Sequence, residues 1–337
     1  MGIVTDSQPP YRSDWLFMRV LIIKMSSMGD IIHTLPAVTD AAKVIANVQF
    51  DWVVEEAFTE IPKWHKQVQR IIPIALRRWR KKFWQATQNG EIKQFYKQLR
   101  DQQYDFVLDA QGSIKSAITT RLSRGYRLGM DKNSVRERLS YLAYQQTFSV
   151  PKQQHAISRL RQLFAKALKY SLPKTLPDYG INKENLSPIP LELSKDYLVF
   201  IPNTSCATKH WPNHYWSLLI KEMTHQGIRV YIPWGNENER KNANQLTHKN
   251  PLAQVLPYLS LNEIAAVLVN AKAVVAVDTG LSHLSAALGI PTIVLYGPSN
   301  PSLIGTIGSS QFHIKMGSKQ DTNAYVLKKI IDKLQFF

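Results

Sequence analysis

The chain has 337 residues, 44% of them hydrophobic, which is enough for two cored domains. Its net charge of +17 is uneven: residues 1–174 hold 28 Lys and Arg against 14 Asp and Glu, the remainder 14 against 11, so the first half should meet something anionic and the second a different ligand. A single cysteine, Cys206, excludes an internal disulfide framework and suits a reducing compartment, and no apolar run approaches the ~18 residues of a membrane span.

Residues 1–17 carry Asp6, Pro9, Pro10 and Asp14 without an apolar signal core, and are expected to lie outside the fold. Val20–Ile23 then reads as a buried parallel strand, and Ile31 to Ala41 as a helix with a proline in an early turn. Between them stands "SSMGD". Strand-to-helix loops of this kind are where open α/β sheets bind ligands, because N–H groups at the helix start are free; the alternative for Asp30 is a helix cap. Further strands are expected at 49–55, 71–76 and 105–109. At the end of 71–76 comes "ALRRWRKKFW", with five basic residues among 77–82 interleaved with Trp79 and followed by Phe83 and Trp84, and no acidic run beside it. Such a segment suits a solvated face, an anionic membrane surface, phosphates or stacked bases.

The stretch 170–190 holds four prolines and little periodicity, which marks a linker. A second strand series follows it, within 196–205, 230–235, 253–257, 273–280 and 291–297, and the tail "AYVLKKIIDKLQFF" reads as an amphipathic helix. The expected domains are 18–175, a linker at 176–192, 193–322 and a final helix at 323–337. Two α/β halves with a cleft between them is the plan of glycosyltransferases of the GT-B type: two Rossmann-like parallel-sheet domains facing a central cleft. No G-x-G-x-x-G fingerprint is present, which disfavours a dinucleotide dehydrogenase.

Three segments of the second half could carry chemistry. "VDTGLSH" ends a strand in Asp278, Thr279 and Gly280 and enters a helix with His283 on its first turn, an arrangement that suits a diphosphate; an aspartic protease would need a second such carboxylate. "NTSCATKH" puts Thr204, Ser205 and Lys209 at another strand end, again apt for phosphate. In "PWGNENER", Glu239 could accept hydrogen bonds from ribose hydroxyls or be a plain surface carboxylate. No D-x-D pair and no Cys/His ligand spacing occurs, so no metal or other cofactor is expected, and a leaving diphosphate would be met by Lys209 and helix N–H groups.

Taken together, "MRVLIIKMSSMGDIIHTLPA", "FDWVVEEAF", "RRWRKKFW", "FVLDAQGSIKSA", "KQQHA", "KHWPNHYW", "IPWG" and "VDTGLSHLSAALGIPTIVLYGPSNP" resemble the lipopolysaccharide heptosyltransferases over roughly residues 18–308. The resemblance is nearest to the enzymes that add the first heptose, with those that add the second as runner-up. It implies a GT-B enzyme using ADP-L-glycero-D-manno-heptose as donor and Kdo-lipid A as acceptor, at the cytoplasmic face of the inner membrane of a Gram-negative bacterium. It implies Asp30 as the base of an inverting transfer, with Ser26 and Gly29 beside the acceptor. Thr204, Ser205, Lys209, Asp278, Thr279, Gly280 and His283 would serve the diphosphate, and Glu239 and Leu259 the adenosine. Arg77, Arg78, Arg80 and Lys81 would hold acceptor carboxylates and phosphates at an anionic membrane. Where the family carries a basic residue before Lys209, this chain has Cys206, and its tail after 310 matches poorly. The rival of another class is a non-catalytic basic protein that binds nucleic acid or anionic membrane; the enzyme reading expects no nucleic acid.

Overall fold

The computed structural model describes residues 17–337 except Ser187, Pro190, Ser205 and residues 318–321. The described residues divide into two compact units, one ending at Gly180 and the other starting at Ile181, and the expectation for the N-terminal extension falls on residues 1–16, outside the described residues.

In the first unit six strands form one sheet: β1 (Met18–Ile23), β2 (Val48–Glu55), β3 (Val68–Ile74), β4 (Phe106–Asp109), β5 (Tyr126–Met130) and β6 (Gln146–Phe148). Their order is β3-β2-β1-β4-β5-β6, with every pairing parallel. The second unit repeats the plan with β7 (Tyr197–Ile201), β8 (Arg229–Ile232), β9 (Ala253–Val255), β10 (Ala273–Val277), β11 (Thr292–Tyr296) and β12 (Gln311–Lys315). Its order, β12-β11-β10-β7-β8-β9, is the same doubly wound order read from the opposite edge. Central strands such as "VLII" and "AVVAV" are buried on both faces, as parallel sheets covered by helices require. The doubly wound order has one consequence for function. The winding reverses between β1 and β4 in the first sheet, and between β7 and β10 in the second. At such points the loops beyond the strand C-termini part and leave a binding crevice.

The expected strands are all present, and β5, β6 and β12 are additional. "YRLGM" hides β5 behind Arg127 and Gly129, and Gly129 is needed because a Cβ there would run into the Tyr144 ring. The segment expected to form one helix from Ile31 is two: Met28–Ile32 and Leu35–Val44. They part at His33 and Thr34, whose hydroxyl returns to the Asp30 carbonyl at 2.9 Å, ahead of Pro36. Ser27 occupies the N-cap, so Asp30 is not the cap residue but its N3 partner.

Within 170–180 the chain is fastened to the first unit. The Arg161 guanidinium, in a buried ion pair with Asp40, also donates to the carbonyls of Pro173 and Thr175. Gly180, at φ +60°, packs so closely on His65 and Thr39 that no Cβ fits. The helix Asn323–Leu334 buries Val326 and Ile330 in the core of the second unit, where the Trp211 indole N–H reaches the Asn323 side chain at 3.0 Å.

Candidate active site

The loop after β1 is clamped from both sides. The Glu55 N–H bonds the Met25 carbonyl, and the Trp52 indole bonds that of Lys24 at 2.9 Å. From beyond β4, the Gln111 side-chain oxygen accepts from the N–H groups of Met25 and Ser26 at 2.8 and 3.3 Å. Asp109 holds that second loop in turn, taking the N–H groups of Gln111 and Gly112 on one oxygen and the Tyr144 hydroxyl on the other. Burial pushes the Asp109 carboxyl above the usual carboxylate range.

Asp30 emerges from this clamp with its side chain 40% exposed. One carboxylate oxygen receives the Ser27 N–H at 3.0 Å and the Ser27 hydroxyl at 2.8 Å. The other faces the Lys24 ammonium at 3.9 Å. Lys24 is buried at the strand end and donates to the Ala110 carbonyl at 3.1 Å. Burial works to raise the Asp30 pKa. The Lys24 charge and the two Ser27 hydrogen bonds outweigh it, so the pKa lies below the ordinary value and the group is ionised at neutral pH. An anionic carboxylate beyond a strand C-terminus, with no hydrogen-bond donor on its second oxygen among the described residues, can take a proton from a bound hydroxyl. Ser26 is half-buried in the loop and Gly29 is buried in the first turn of the helix Met28–Ile32.

The basic run forms the helix Leu76–Lys81, whose start is capped by the Glu55 carboxylate on the Arg77 N–H at 3.0 Å. Contrary to the reading of an un-neutralised run, Arg78 is paired twice. It forms a two-point contact with Glu56 at 3.0 Å and meets Glu91 at 2.6 Å. Trp79 is a core residue, edge-on to Phe95 with its indole N–H on Glu91. Arg77 lies over the Phe58 ring, while Arg80, Lys81, Phe83 and Trp84 face solvent. Partners 13 and 22 residues away in sequence are what a local charge count misses.

In the second unit the loops after β7 and β10 meet. The Lys209 ammonium lies 2.7 Å from the Asp278 carboxylate, and the Thr204 hydroxyl is 3.4 Å from the Asp278 carbonyl. The His283 Nε2 is 3.8 Å from the other Asp278 oxygen. Against the cost of burial, hydrogen bonds from His283, Lys209 and Ser299 hold the Asp278 carboxyl far below the usual range. Thr279 is the N-cap of the helix Gly280–Ala287, so the free N–H groups of that helix start open beside Lys209. Gly297, after β11, brings the backbone so close that a Cβ would stand 2.8 Å from the Thr208 carbonyl. Ser205 lies outside the described residues.

Glu239 sits farther along the same edge, beyond β8. Its carboxylate accepts the Gly235 N–H at 2.8 Å, and its carbonyl takes a bond from Asn203, which Asn242 holds in turn. Leu259 is buried in the loop after β9, next to the exposed Tyr258. Tyr258 packs on Trp234 with ring centroids 5.5 Å apart, and Arg240 covers Trp234. The sequence reading passed over Trp234, Tyr258, Lys24 and Gln111; the tryptophan in "PWG" and the lysine at a buried strand end were the available signals. Among the described residues no three His, Cys, Asp or Glu side chains assemble as a metal ligand set.

Two doubly wound parallel sheets, one presenting a carboxylate and the other a lysine beside a helix start at its switch point, make up the GT-B type of architecture, with crevices suited to a nucleotide-linked ligand. The sequence pattern of glycosyltransferase family 9 (heptosyltransferase) matches residues 92–334. Lipopolysaccharide heptosyltransferase 1 of Pseudomonas aeruginosa is 50% identical over 298 residues, 88% of this chain and 83% of that one. The structure of Escherichia coli heptosyltransferase WaaC with ADP superposes with a TM-score of 0.87 at 46% identity, covering 94% of this chain and all of the other. The same enzyme with ADP-2-deoxy-2-fluoro heptose gives 0.84 at 45%, covering 94% and 99%. The chain belongs to glycosyltransferase family 9, the heptosyltransferases, and is a GT-B-type transferase of lipopolysaccharide inner-core synthesis.

Proposed function

We propose that this chain transfers L-glycero-D-manno-heptose from ADP-heptose to the Kdo of Kdo-lipid A, inverting the anomeric centre. The observation that carries the mechanism is the placing of the Asp30 carboxylate beyond the end of β1, with Ser27 on one oxygen and the Lys24 ammonium 3.9 Å from the other. Asp30 takes the proton of the acceptor hydroxyl as that oxygen attacks the anomeric carbon. The bond from the anomeric carbon to the β-phosphate oxygen breaks on the opposite face, and ADP departs with its electron pair. Lys209 and the N–H groups at the start of Gly280–Ala287 balance the charge that grows on the diphosphate. Asp278 fixes Lys209 in place, with His283 behind it, and Thr204 lines the same loop. Ser205 joins them by its place in the sequence. Glu239 and Leu259, with the Trp234–Tyr258 pair, supply the adenosine end.

The 50% identity over 298 residues to a heptosyltransferase 1, against 26% over 242 residues to a heptosyltransferase 2, supports the first-heptose acceptor over the second. Arg77, Arg80 and Lys81 are positioned to meet acceptor carboxylates and phosphates, and Arg78 shapes that helix through its two glutamates. The acceptor is lipid-borne, so the enzyme works peripherally at the anionic cytoplasmic face of the inner membrane. No described helix is long and apolar enough to cross a membrane. The transfer uses no metal, so EDTA leaves the rate unchanged; a loss restored by Mg²⁺ would refute this point. Purified protein given ADP-heptose and Kdo-lipid A, with and without a first heptose, tests the whole reading. Product from the heptose-free acceptor alone is expected, while product only from the heptosylated acceptor would make this a second-heptose enzyme.

A further inference from the structure

The helix Ile114–Leu122 is inside out. Its buried residues are Ser116, Ala117, Thr119 and Thr120, and its exposed residues are Ile114, Lys115, Ile118, Arg121 and Leu122. At 100° per residue the exposed set fills one arc and the small and hydroxyl-bearing set the other. Two inward hydroxyls are satisfied locally, Ser116 on the Ser113 carbonyl and Thr119 on that of Lys115, and that of Thr120 faces the Asp109 carboxylate at 3.5 Å. A helix that buries serine and threonine and shows isoleucine and leucine to solvent reverses the usual burial order.

A second apolar pair adjoins it. The 3₁₀ helix Arg138–Ala143 exposes Leu139 and Leu142, each at 65%. The two elements are joined into one surface: Glu137 accepts the Ile114 N–H at 2.9 Å, and the Gly112 carbonyl accepts from the Glu137 N–H and the Ser140 hydroxyl. Lys115, Arg121, Arg124 and Arg138 are exposed around the five apolar side chains, and Arg100 reaches the Leu122 carbonyl at the helix end. The acidic residue here, Glu137, is occupied as the tie just described.

We propose that this face is a membrane-docking surface that lays Ile114, Ile118, Leu122, Leu139 and Leu142 into the interface of an anionic bilayer. Exposed cations interleaved in sequence with exposed aliphatic side chains are complementary to anionic headgroups over acyl chains. Nucleic acid would use the cations and leave the aliphatics unexplained. The face also adjoins the proposed base. Gln111, two residues before the Ser113 N-cap, holds the Met25 and Ser26 N–H groups of the loop that carries Asp30. Docking here presents that loop to a lipid-borne hydroxyl. This last consequence rests on the proposed acceptor, whereas the docking itself does not.

The test is co-flotation of the full chain with vesicles of phosphatidylethanolamine and phosphatidylglycerol, and with pure phosphatidylcholine. The unmodified protein should float with the anionic vesicles and less with phosphatidylcholine. The triple variant Ile118→Ser, Leu139→Ser, Leu142→Ser should lose at least ~10-fold in vesicle affinity, with its Tm and ADP affinity unchanged. Leu176→Ser, an exposed leucine in the 170–180 segment, should change nothing. The triple variant should also raise KM for Kdo-lipid A in vesicles and leave KM for a water-soluble Kdo acceptor as it was. Unchanged flotation of the triple variant would overturn the proposal. So would a shift from dimer to monomer in the triple variant without loss of flotation, which would make the face a self-association surface. If flotation falls as expected while the unmodified protein transfers heptose to no acceptor, the docking surface stands and the acceptor assignment fails.

Discussion

The Lys209 ammonium stands 2.7 Å from the Asp278 carboxylate, joining the loops after β7 and β10 where the second sheet reverses its winding. Lys209 is a quarter exposed and Asp278 is buried, two residues before the start of the helix Gly280–Ala287, so the ammonium keeps an accessible edge near that helix start. A charge-assisted bond from that edge to phosphate is worth about 1.5–3 kcal/mol, or roughly 10–100-fold in affinity. Lys209→Ala should therefore weaken ADP by that factor in calorimetry and leave adenosine within about twofold. Equal losses for both ligands would make the lysine a purely structural partner of Asp278.

Cys206 offers a probe of the same loop that needs no substitution. Its thiol is exposed, lies 3.2 Å from the Thr208 hydroxyl, and has its pKa lowered chiefly by hydrogen bonds from Thr208. Iodoacetamide should label it at neutral pH, and saturating ADP should slow the labelling severalfold as the diphosphate fills the loop. Labelling at the same rate with and without ADP would place the nucleotide elsewhere.

The pH dependence follows from Lys24. Because the Asp30 pKa is depressed, the carboxylate is ionised throughout the neutral range. The acid limb of kcat/KM should fall below the ordinary aspartate value of about 3.9. The same depression makes the Asp30 contacts stabilising above the unfolded pKa, a contribution that disappears as pH drops through the folded one. Lys24→Met removes the largest factor holding the pKa down, so the acid limb of activity should move to higher pH. A limb that stays in place would show that Lys24 does not govern the ionisation of Asp30.

The basic helix separates two kinds of arginine. Arg80 and Lys81 face solvent, and Arg80→Ser with Lys81→Ser should raise the acceptor KM severalfold, an effect that shrinks as salt rises. Arg78→Ser should instead lower Tm, because it strips the shared partner from Glu56 and Glu91. Both effects are read from kinetics and a melting curve on the same preparations. A KM effect from Arg78 as large as that from Arg80 and Lys81, with no change in Tm, would return Arg78 to the acceptor site.

What the sequence disclosed depended on the range of the interaction. The strand ends at "MSSMGD", "NTSCATK" and "VDTG" were legible because apolar runs and turn residues are local signals. The sheet order was not, because it depends on which strands pair over long sequence separations, Val20 with Phe106 and Leu198 with Ala273, and that order puts these loops at switch points. Asp30 looked like a cap or a base; the structure makes it the capping partner of Ser27 and leaves its second carboxylate oxygen toward Lys24. Trp79 read as interfacial because its neighbours in sequence are charged, yet Phe95 and Glu91 draw it inside. In the helix Ile114–Leu122 the packing does the reverse and turns Ile114, Ile118 and Leu122 outward.

The central claim is that Asp30 is the base of heptosyl transfer, and turnover of Asp30→Asn tests it most directly. Asparagine keeps the size of the side chain and an oxygen to accept the Ser27 N–H, so the fold and ADP binding should survive. With ADP-heptose and Kdo-lipid A, kcat should fall by at least ~10²-fold, the contribution usual for a general base. Turnover equal to that of the unmodified protein would contradict the account.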